Sequence, residues 1–253
     1  MRIVLKFGSG ILASLKGNTL DRRQFERLCK DVAGLVRQGH ECILVSSGAV
    51  AAGLASLGIG VRPEDLALRQ ACAAVGQSKL MALYAECFAP HGLQVAQLLL
   101  THGDIDSRTR SENVRSTLSC LLERRNVVPI INENDSVATE ELKFGDNDRL
   151  SAEVAVLAEA DMLLLMTSVE GLLDKKGKRL SVVANVDEVM GLARDDKGRL
   201  SVGGMVSKLQ AVKLAVDAGV VTAIAGGRKA GQIGAVVAGK DAGTRFLLAG
   251  RGI

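Results

Sequence analysis

Short, nearly continuous apolar runs alternate along this chain with longer stretches in which apolar residues return every three or four positions. The runs RIVLKF (2–7) and ECILVS (41–46) are rich in branched side chains and stop at glycine or serine, which predicts strands buried on both faces. Between them Phe25, Leu28, Cys29, Val32, Leu35 and Val36 share one helical face, and Gly39 closes that helix as its C-cap. A long helix opening at Pro63 and broken near Gly76 is predicted next, followed by a strand LQVAQLLL (93–100). SENVRSTLSCLLERRN predicts a helix and VVPII (127–131) a strand, where Pro129 suggests an edge or an irregular end. A helix from about Leu150, a strand DMLLLMT (161–167), helices near 185–193 and 206–218, and strands VVTAIAGG (220–227) and RFLLAG (245–250) complete the pattern. The polar segment 171–180 suits a surface hairpin or loop. Strand-helix alternation of this kind predicts an α/β fold, a mostly parallel sheet with helices on both sides.

Composition narrows the classes. The chain has 253 residues, 47% of them hydrophobic and 24% charged, which fits a globular enzyme with a substantial core. A formal charge of +4 is mild over this length, and five phenylalanines, Tyr84 and no tryptophan make a poor base-stacking platform, so no nucleic acid partner is expected. The five cysteines Cys29, Cys42, Cys72, Cys87 and Cys120 are odd in number and set in apolar segments; buried free thiols and a reducing cytoplasmic setting are expected. No apolar run reaches the length of a membrane span, and the N-terminus lacks a signal-like segment.

In sheets of this type ligands bind beyond the carboxyl ends of the strands. The segments there are KFGSG (6–10), SSGA (46–49), INENDS (131–136), TSVEG (167–171) and AGG (225–227). Gly8, Gly10 and Ala13 satisfy a G-x-G-x-x-A dinucleotide fingerprint in form, but the second strand ends in Ser46, Ser47 and Gly48 where that fold needs an acid for the ribose. Read instead as glycine turns with exposed N–H groups, the same segments suit anions. Lys6, at the end of an apolar strand, then either faces a phosphate, pairs with a core carboxylate or emerges into solvent. Lys208 repeats the setting, after Gly203 and Gly204 at the start of a helix; the alternative is a flexible connector with the lysine on a solvated face. Two such lysines could grip a transferring phosphoryl group, whose transition state spreads negative charge over its oxygens.

Asn132, Glu133, Asn134, Asp135, Asp146, Asn147 and Asp148 crowd one polar stretch that could be a cation site, a capping network or a pocket for an ammonium-bearing substrate. P-loop, protein-kinase and EF-hand patterns are absent, as are metal-ligating Cys/His spacings. His40, His91 and His102 are expected to lie away from the strand-end turns, so a catalytic triad is not expected. A carboxylate acceptor, already ionised at neutral pH, fits a site without a nucleophile or a strong base.

The strings KFGSG, VSSGAVAAG, AAVGQSKLM, INENDSVA, FGDNDRLSA, LLLMTSVEGL and GGMVSKLQ, in this order, resemble the glutamate 5-kinases of the amino acid kinase family over nearly the whole chain. The resemblance implies a three-layer αβα sandwich of the amino acid kinase fold. It further implies transfer of phosphate from ATP to the side-chain carboxylate of L-glutamate, with Mg2+ carried on the nucleotide phosphates. By the same resemblance Lys6 and Lys208 stabilise the moving phosphoryl group and Asp148 holds both lysines; Ser47, Gly48, Asn134, Asp135, Asp146 and Asn147 surround glutamate. ATP then meets Lys6, Gly8, Ser9, Thr167, Ser168 and the stretch Val202, Gly203, Gly204, Met205, Val206, Ser207 and Lys208. A single domain is expected, with residues about 1–160 holding glutamate and about 161–253 holding ATP, and without the C-terminal PUA domain of many relatives. A homo-oligomer and feedback inhibition by proline are also implied. Three departures bear on nucleotide contacts: Ser168 replaces the usual aspartate, Gly10 a serine, and Val202 a threonine. The alternatives are an acetylglutamate or carbamate kinase-like activity, a dinucleotide-dependent reductase, or a non-catalytic glutamate or proline sensor.

Overall fold

A computed structural model of the chain describes residues 1–14, 19–137, 146–193 and 204–248. Among these residues one eight-stranded sheet contains β1 (Arg2–Phe7), β2 (Glu41–Ser46), β3 (Gln94–Leu100), β4 (Val127–Glu133), β5 (Met162–Thr167), β6 (Val182–Val183), β7 (Val221–Gly226) and β8 (Thr244–Phe246). Its spatial order is β3-β4-β2-β1-β5-β7-β8-β6, and the β7–β8 ladder is the antiparallel one. From β1 the sheet extends outward through β2, β4 and β3, with the chain reaching the edge strand β3 before it inserts β4, and β5 then lies on the other flank of β1. The carboxyl ends of β1 and β5 therefore form the switch point at which an open α/β sheet offers a crevice.

Helices cover both sides of the sheet in three layers. On one side α2 (Arg22–Arg37), α4 (Leu66–Phe88) and α9 (Gln232–Val237) pack on Ile3, Leu5, Phe7, Leu44, Val128 and Ile130. On the other, α6 (Arg108–Glu123), α7 (Asp146–Leu157) and α8 (Met205–Asp217) pack on Val4, Ile43, Val45, Ile131, Leu163 and Leu165. Side chains alternate along a strand, so position in the strand dictates which layer a polar terminal residue meets. Lys6 shares the side of Val4 and meets α7 and α8. Ser46 and Asn132 share the side of Leu44 and Ile130 and meet α4.

The short helices α1 (Ser9–Leu12), α3 (Ala49–Ser56) and α5 (His102–Asp106) follow β1, β2 and β3 directly. They, together with α9 and β6, are too short to leave a periodic signal. The long helix α4 starts at an Asp65 cap, two residues after Pro63, and runs through Gly76 unbroken. Gly76 is a packing residue: a Cβ there would lie 1.8 Å from the Ala49 carbonyl oxygen, so only glycine lets α3 cross α4 backbone to backbone. Gly53 does the same from α3, where an added Cβ would lie 1.8 Å from the Cys72 oxygen. Fully buried Tyr84 stands edge-on to Phe25 of α2, with ring centroids 4.8 Å apart, and locks α4 to α2.

Other expectations shift for local reasons. β4 lies between β3 and β2, so Pro129 does not mark an edge; the ladder to β2 joins Ile130 and Ile131 and so begins beyond the residue that lacks an N–H. Cys29, Cys42, Cys72 and Cys87 are buried but Cys120 is exposed on α6. Segment 171–180 forms the expected hairpin, closed by a Leu173–Arg179 bridge and an Asp174 turn. The last strand is Thr244–Phe246, shorter than expected, and residues 249–250 lie outside the described residues.

Candidate active site

Lys6 is the penultimate residue of β1, and its ammonium bonds Asp148 Oδ1 in the first turn of α7. The second oxygen of that carboxylate, Oδ2, accepts from Lys208 Nζ at 3.1 Å and lies 3.0 Å from Ser207 Oγ, both in the first turn of α8. Ser207 also reaches the Gly204 carbonyl at 3.0 Å. All four side chains are buried, Asp148 at 1% exposure. One carboxylate facing two ammonium groups leaves the trio with one net positive charge, held where the dielectric is low and an anionic ligand gains most.

Burial opposes charge on Asp148, yet the two lysines outweigh it and hold its carboxyl below the usual range. Burial pushes the Lys6 ammonium down; Asp148 offsets part of this, and Lys208 adds to it. Gly8 sits over this ammonium, since a Cβ there would lie 3.4 Å from Lys6 Nζ, and its own N–H donates to the Met166 carbonyl of β5 at 3.4 Å. Backbone of β1 and β5 thus frames the lysine. Ser9 opens α1, Thr167 ends β5 almost fully buried, and Ser168 is exposed, with Gly10 close to its hydroxyl. Gly204 precedes α8, and Met205 and Val206 are half-buried in its first turn. Val202 and Gly203 lie outside the described residues.

The neighbouring residue of α7, Asn147, turns to a different set of partners. Its Nδ2 lies 3.0 Å from Ser47 Oγ, 3.0 Å from Asn132 Oδ1 and 3.3 Å from the Ser46 carbonyl. Gly48 takes φ +113, a left-handed conformation that turns the chain from β2 into α3 just after Ser47. Asn134 and Asp135 follow β4 half-buried in a turn, where Asn134 N–H donates to the Leu100 carbonyl. Asp146 is the first residue of α7. Lys6, Ser47, the Asn147–Asp148 pair and Lys208 therefore come from four separate segments to one end of the sheet.

His102 corrects an expectation. It does not lie away from the strand ends: it stands two residues past β3, buried, with Nδ1 2.7 Å from Glu153 Oε2 on α7. Glu153 Oε1 in turn accepts from Arg149 Nε at 2.6 Å. The sequence also gave no weight to Gln77 and Tyr84, whose polar atoms reach Asn132 at 2.9 Å and Ser46 at 2.7 Å. A polar residue on the otherwise apolar buried face of a helix is the signal that marks Gln77.

Among the described residues, no cluster of three or more His, Cys, Asp or Glu could hold a metal ion, and no helix is long and apolar enough to cross a membrane. Both oxygens of Asp148 are already taken by lysines, so this carboxylate is not available to a cation.

The fold is that of a UMP kinase from Bacillus anthracis, which aligns with a TM-score of 0.64 at 15% identity over 97% of this chain and 95% of that one. The chain is 44% identical to a glutamate 5-kinase of Pelobacter propionicus and 45% identical to one of Syntrophotalea carbinolica, each over 97% of this chain and 67% of the relative. A glutamate 5-kinase of Thermus thermophilus is 43% identical over 97% of this chain and 67% of its own length. The chain thus spans about two thirds of the length of these relatives. The sequence profile of the amino acid kinase family matches residues 1–225. With that match covering most of the chain, and with the lysine pair, the shared carboxylate and the strand-end turns assembled at one switch point, the chain belongs to the amino acid kinase family.

Proposed function

We propose that the protein transfers the γ-phosphoryl group of ATP to the side-chain carboxylate of L-glutamate, giving L-glutamyl 5-phosphate, the first step of proline biosynthesis. The observation that carries this reading is the buried Lys6–Asp148–Lys208 trio, set beside the hydrogen-bonded cluster of Ser47, Asn132 and Asn147. Its relatives of the preceding section supply the choice of acceptor.

The acceptor oxygen is ionised at neutral pH, so it attacks the γ-phosphorus in line without a protein base, and the bond to the β,γ-bridging oxygen of ATP breaks. Lys6 and Lys208 meet the charge that develops on the phosphoryl oxygens; Asp148 fixes both ammonium groups and touches neither reactant. Ser9, Gly204 and the first turn of α8 face the nucleotide phosphates with a helix start, and Gly8, without a side chain, leaves the Lys6 ammonium open to them. Magnesium would ride on those phosphates and supply further positive charge. Thr167, Ser168, Met205 and Val206 border the nucleotide. Residues up to about 160 hold glutamate, through Ser47, Gly48, Asn134, Asp135, Asp146 and Asn147, and residues from about 161 hold ATP.

Purified protein with Mg-ATP, L-glutamate and hydroxylamine is expected to yield γ-glutamyl hydroxamate and an equal amount of ADP. No hydroxamate with glutamate, or a faster reaction with N-acetylglutamate or carbamate, sinks the assignment. We also propose a homo-oligomer inhibited by proline and working in the cytoplasm, where four buried free thiols remain reduced. A monomer in sedimentation, turnover indifferent to proline, or fractionation away from the cytoplasm removes the corresponding element.

A further inference from the structure

Four side-chain amides run in a line from the proposed glutamate pocket to the outer strand of the sheet. Asn147 Nδ2 donates to Asn132 Oδ1 at 3.0 Å, Asn132 Nδ2 to Gln77 Oε1 at 2.9 Å, and Gln77 Nε2 to Gln97 Oε1 at 3.2 Å. Gln97 lies exposed on β3, the edge strand, whereas Gln77 and Asn132 are buried.

An amide can turn over and exchange its oxygen and nitrogen, so the sense of such a chain needs fixed points. Two backbone groups provide them. The Glu133 N–H donates to Asn132 Oδ1 at 2.9 Å, so the Asn132 atom at that position is an oxygen and its nitrogen faces Gln77. The Ser46 carbonyl lies 3.3 Å from Asn147 Nδ2, so that atom is a nitrogen. With both asparagines set, Gln77 must offer its oxygen to Asn132 and its nitrogen to Gln97. The consequence falls on Asn147 Oδ1, which is buried and has no hydrogen-bond partner among the described residues. A buried acceptor left open costs stability unless a ligand or water supplies a donor. L-Glutamate at neutral pH has one kind of donor, its ammonium group.

We propose that Gln77 is a positioning residue that, through Asn132, holds Asn147 with its oxygen toward the substrate ammonium. This rests on the glutamate reading above. Gln77 lies on α4, touches no reactant, and acts on how the acceptor is held, not on phosphoryl transfer.

The test is steady-state kinetics of the full chain with Gln77→Met, which keeps the side-chain size and removes both polar atoms. The KM for L-glutamate is expected to rise about tenfold, the cost of leaving one buried donor unmet, with kcat and the KM for ATP within about twofold. Inhibition by glutarate, which keeps both carboxylates and lacks the ammonium, should be unchanged. Gln77→Glu should recover most of the loss, because a protonated carboxyl accepts from Asn132 through its carbonyl and donates to Gln97 through its hydroxyl. Should Gln77→Met not fold, Gln97→Leu interrupts the same line from the exposed strand and should raise the glutamate KM about threefold.

An unchanged glutamate KM in the variant that folds, or a glutarate constant that weakens in step with it, overturns the proposal. The second result would mean that Gln77 only props the cleft. If the unmutated protein forms no hydroxamate, the glutamate reading fails and takes this inference with it; hydroxamate formation with indifferent variants overturns this inference alone.

Discussion

Asn147 and Asp148 are neighbours in the first turn of α7, yet they belong to two halves of the site built on opposite terms. Asp148 faces β1 and α8 and is surrounded by charge: two lysines, one carboxylate, all buried. Asn147 faces the ends of β2 and β4 and is surrounded by hydroxyl, carbonyl and amide oxygens. The charged half can shift with the charge of a transition state. The neutral half can only orient, and its energy is in which atom of an amide faces which way. Substitutions on the two sides should therefore separate in kinetics, the first lowering kcat and the second raising KM for the acceptor.

The largest effect is expected at Asp148. Asp148→Asn leaves two buried ammonium groups sharing a neutral partner, and breaking one buried pair costs about 3–5 kcal/mol. At roughly 2–4 °C per kcal/mol for a chain of this size, thermal unfolding should move down by about 6–20 °C. Turnover should fall by about a hundredfold to a thousandfold, the scale set by losing one preorganised charge at a reacting centre. Lys6→Ala and Lys208→Ala should lower kcat on the same scale with little change in glutamate KM. A glutamate KM that rises while kcat holds would merge the two halves and break the comparison.

Asn147 comes next. Asn147→Ala should raise the glutamate KM by about tenfold or more while kcat changes less. Asn147→Asp should be worse than alanine, because a carboxylate would then face the Ser46 carbonyl and the Asn132 oxygen, neither of which can donate. If the aspartate variant binds glutamate better than the alanine one, the oxygen-lined environment assigned to Nδ2 is wrong.

Gly76→Ala tests whether the neutral half depends on how α3 is seated. The added methyl would meet the Ala49 oxygen at 1.8 Å and the Gly53 nitrogen at 2.4 Å, both backbone, so one helix must move. Overpacking of this kind costs about 1–3 kcal/mol. The moved element carries Ser47 and Gly48 at its start, so calorimetry should show lost stability and kinetics a raised glutamate KM, with the ATP KM spared. An equal change in both KM values would mean that α3 also shapes the nucleotide side.

How far the sequence revealed this arrangement depended on what each part needs. The long strands and helices were legible because burial on two faces or one imposes continuous or periodic apolar runs, as in RIVLKF and the stripe from Phe25 to Val36. The short helices after β1, β2 and β3 were not, since four to eight residues hold barely one or two turns of pattern. Lys6 stood out because charge in an apolar strand is costly, Lys208 because it follows a double glycine at a helix start, and Asp148 as one of a crowd of polar residues; their meeting came from family resemblance, as no local rule joins residues 142 and 60 positions apart. Gln77 and His102 were missed for different reasons. Gln77 shares α4 with other polar residues, and only the tertiary fold turns its side inward; His102 opens α5, too short a helix to leave a pattern.

His102 gives the smallest expected effect and a different axis, pH. Its ring bonds Glu153, and Glu133 of β4 and Arg149 of α7 also act on it; the Glu153 bond, with both carboxylates, outweighs burial and Arg149 and holds the imidazolium above its ordinary pKa of about 6.5. A raised folded pKa means that the stabilisation is fully present below the unfolded value and fades as pH rises through the folded one. Glu153 contributes in the opposite sense, since burial opposes its charge but the His102 and Arg149 bonds hold its carboxyl low, so its share is lost only as pH falls through that folded value. The thermal midpoint should therefore drop as pH rises past the unfolded value and through the folded one, and His102→Gln should flatten that slope. Because Glu153 lies on the helix that carries both Asn147 and Asp148, the same variant should disturb the charged and neutral halves together, and a change confined to one of them would show that α7 does not move as a unit.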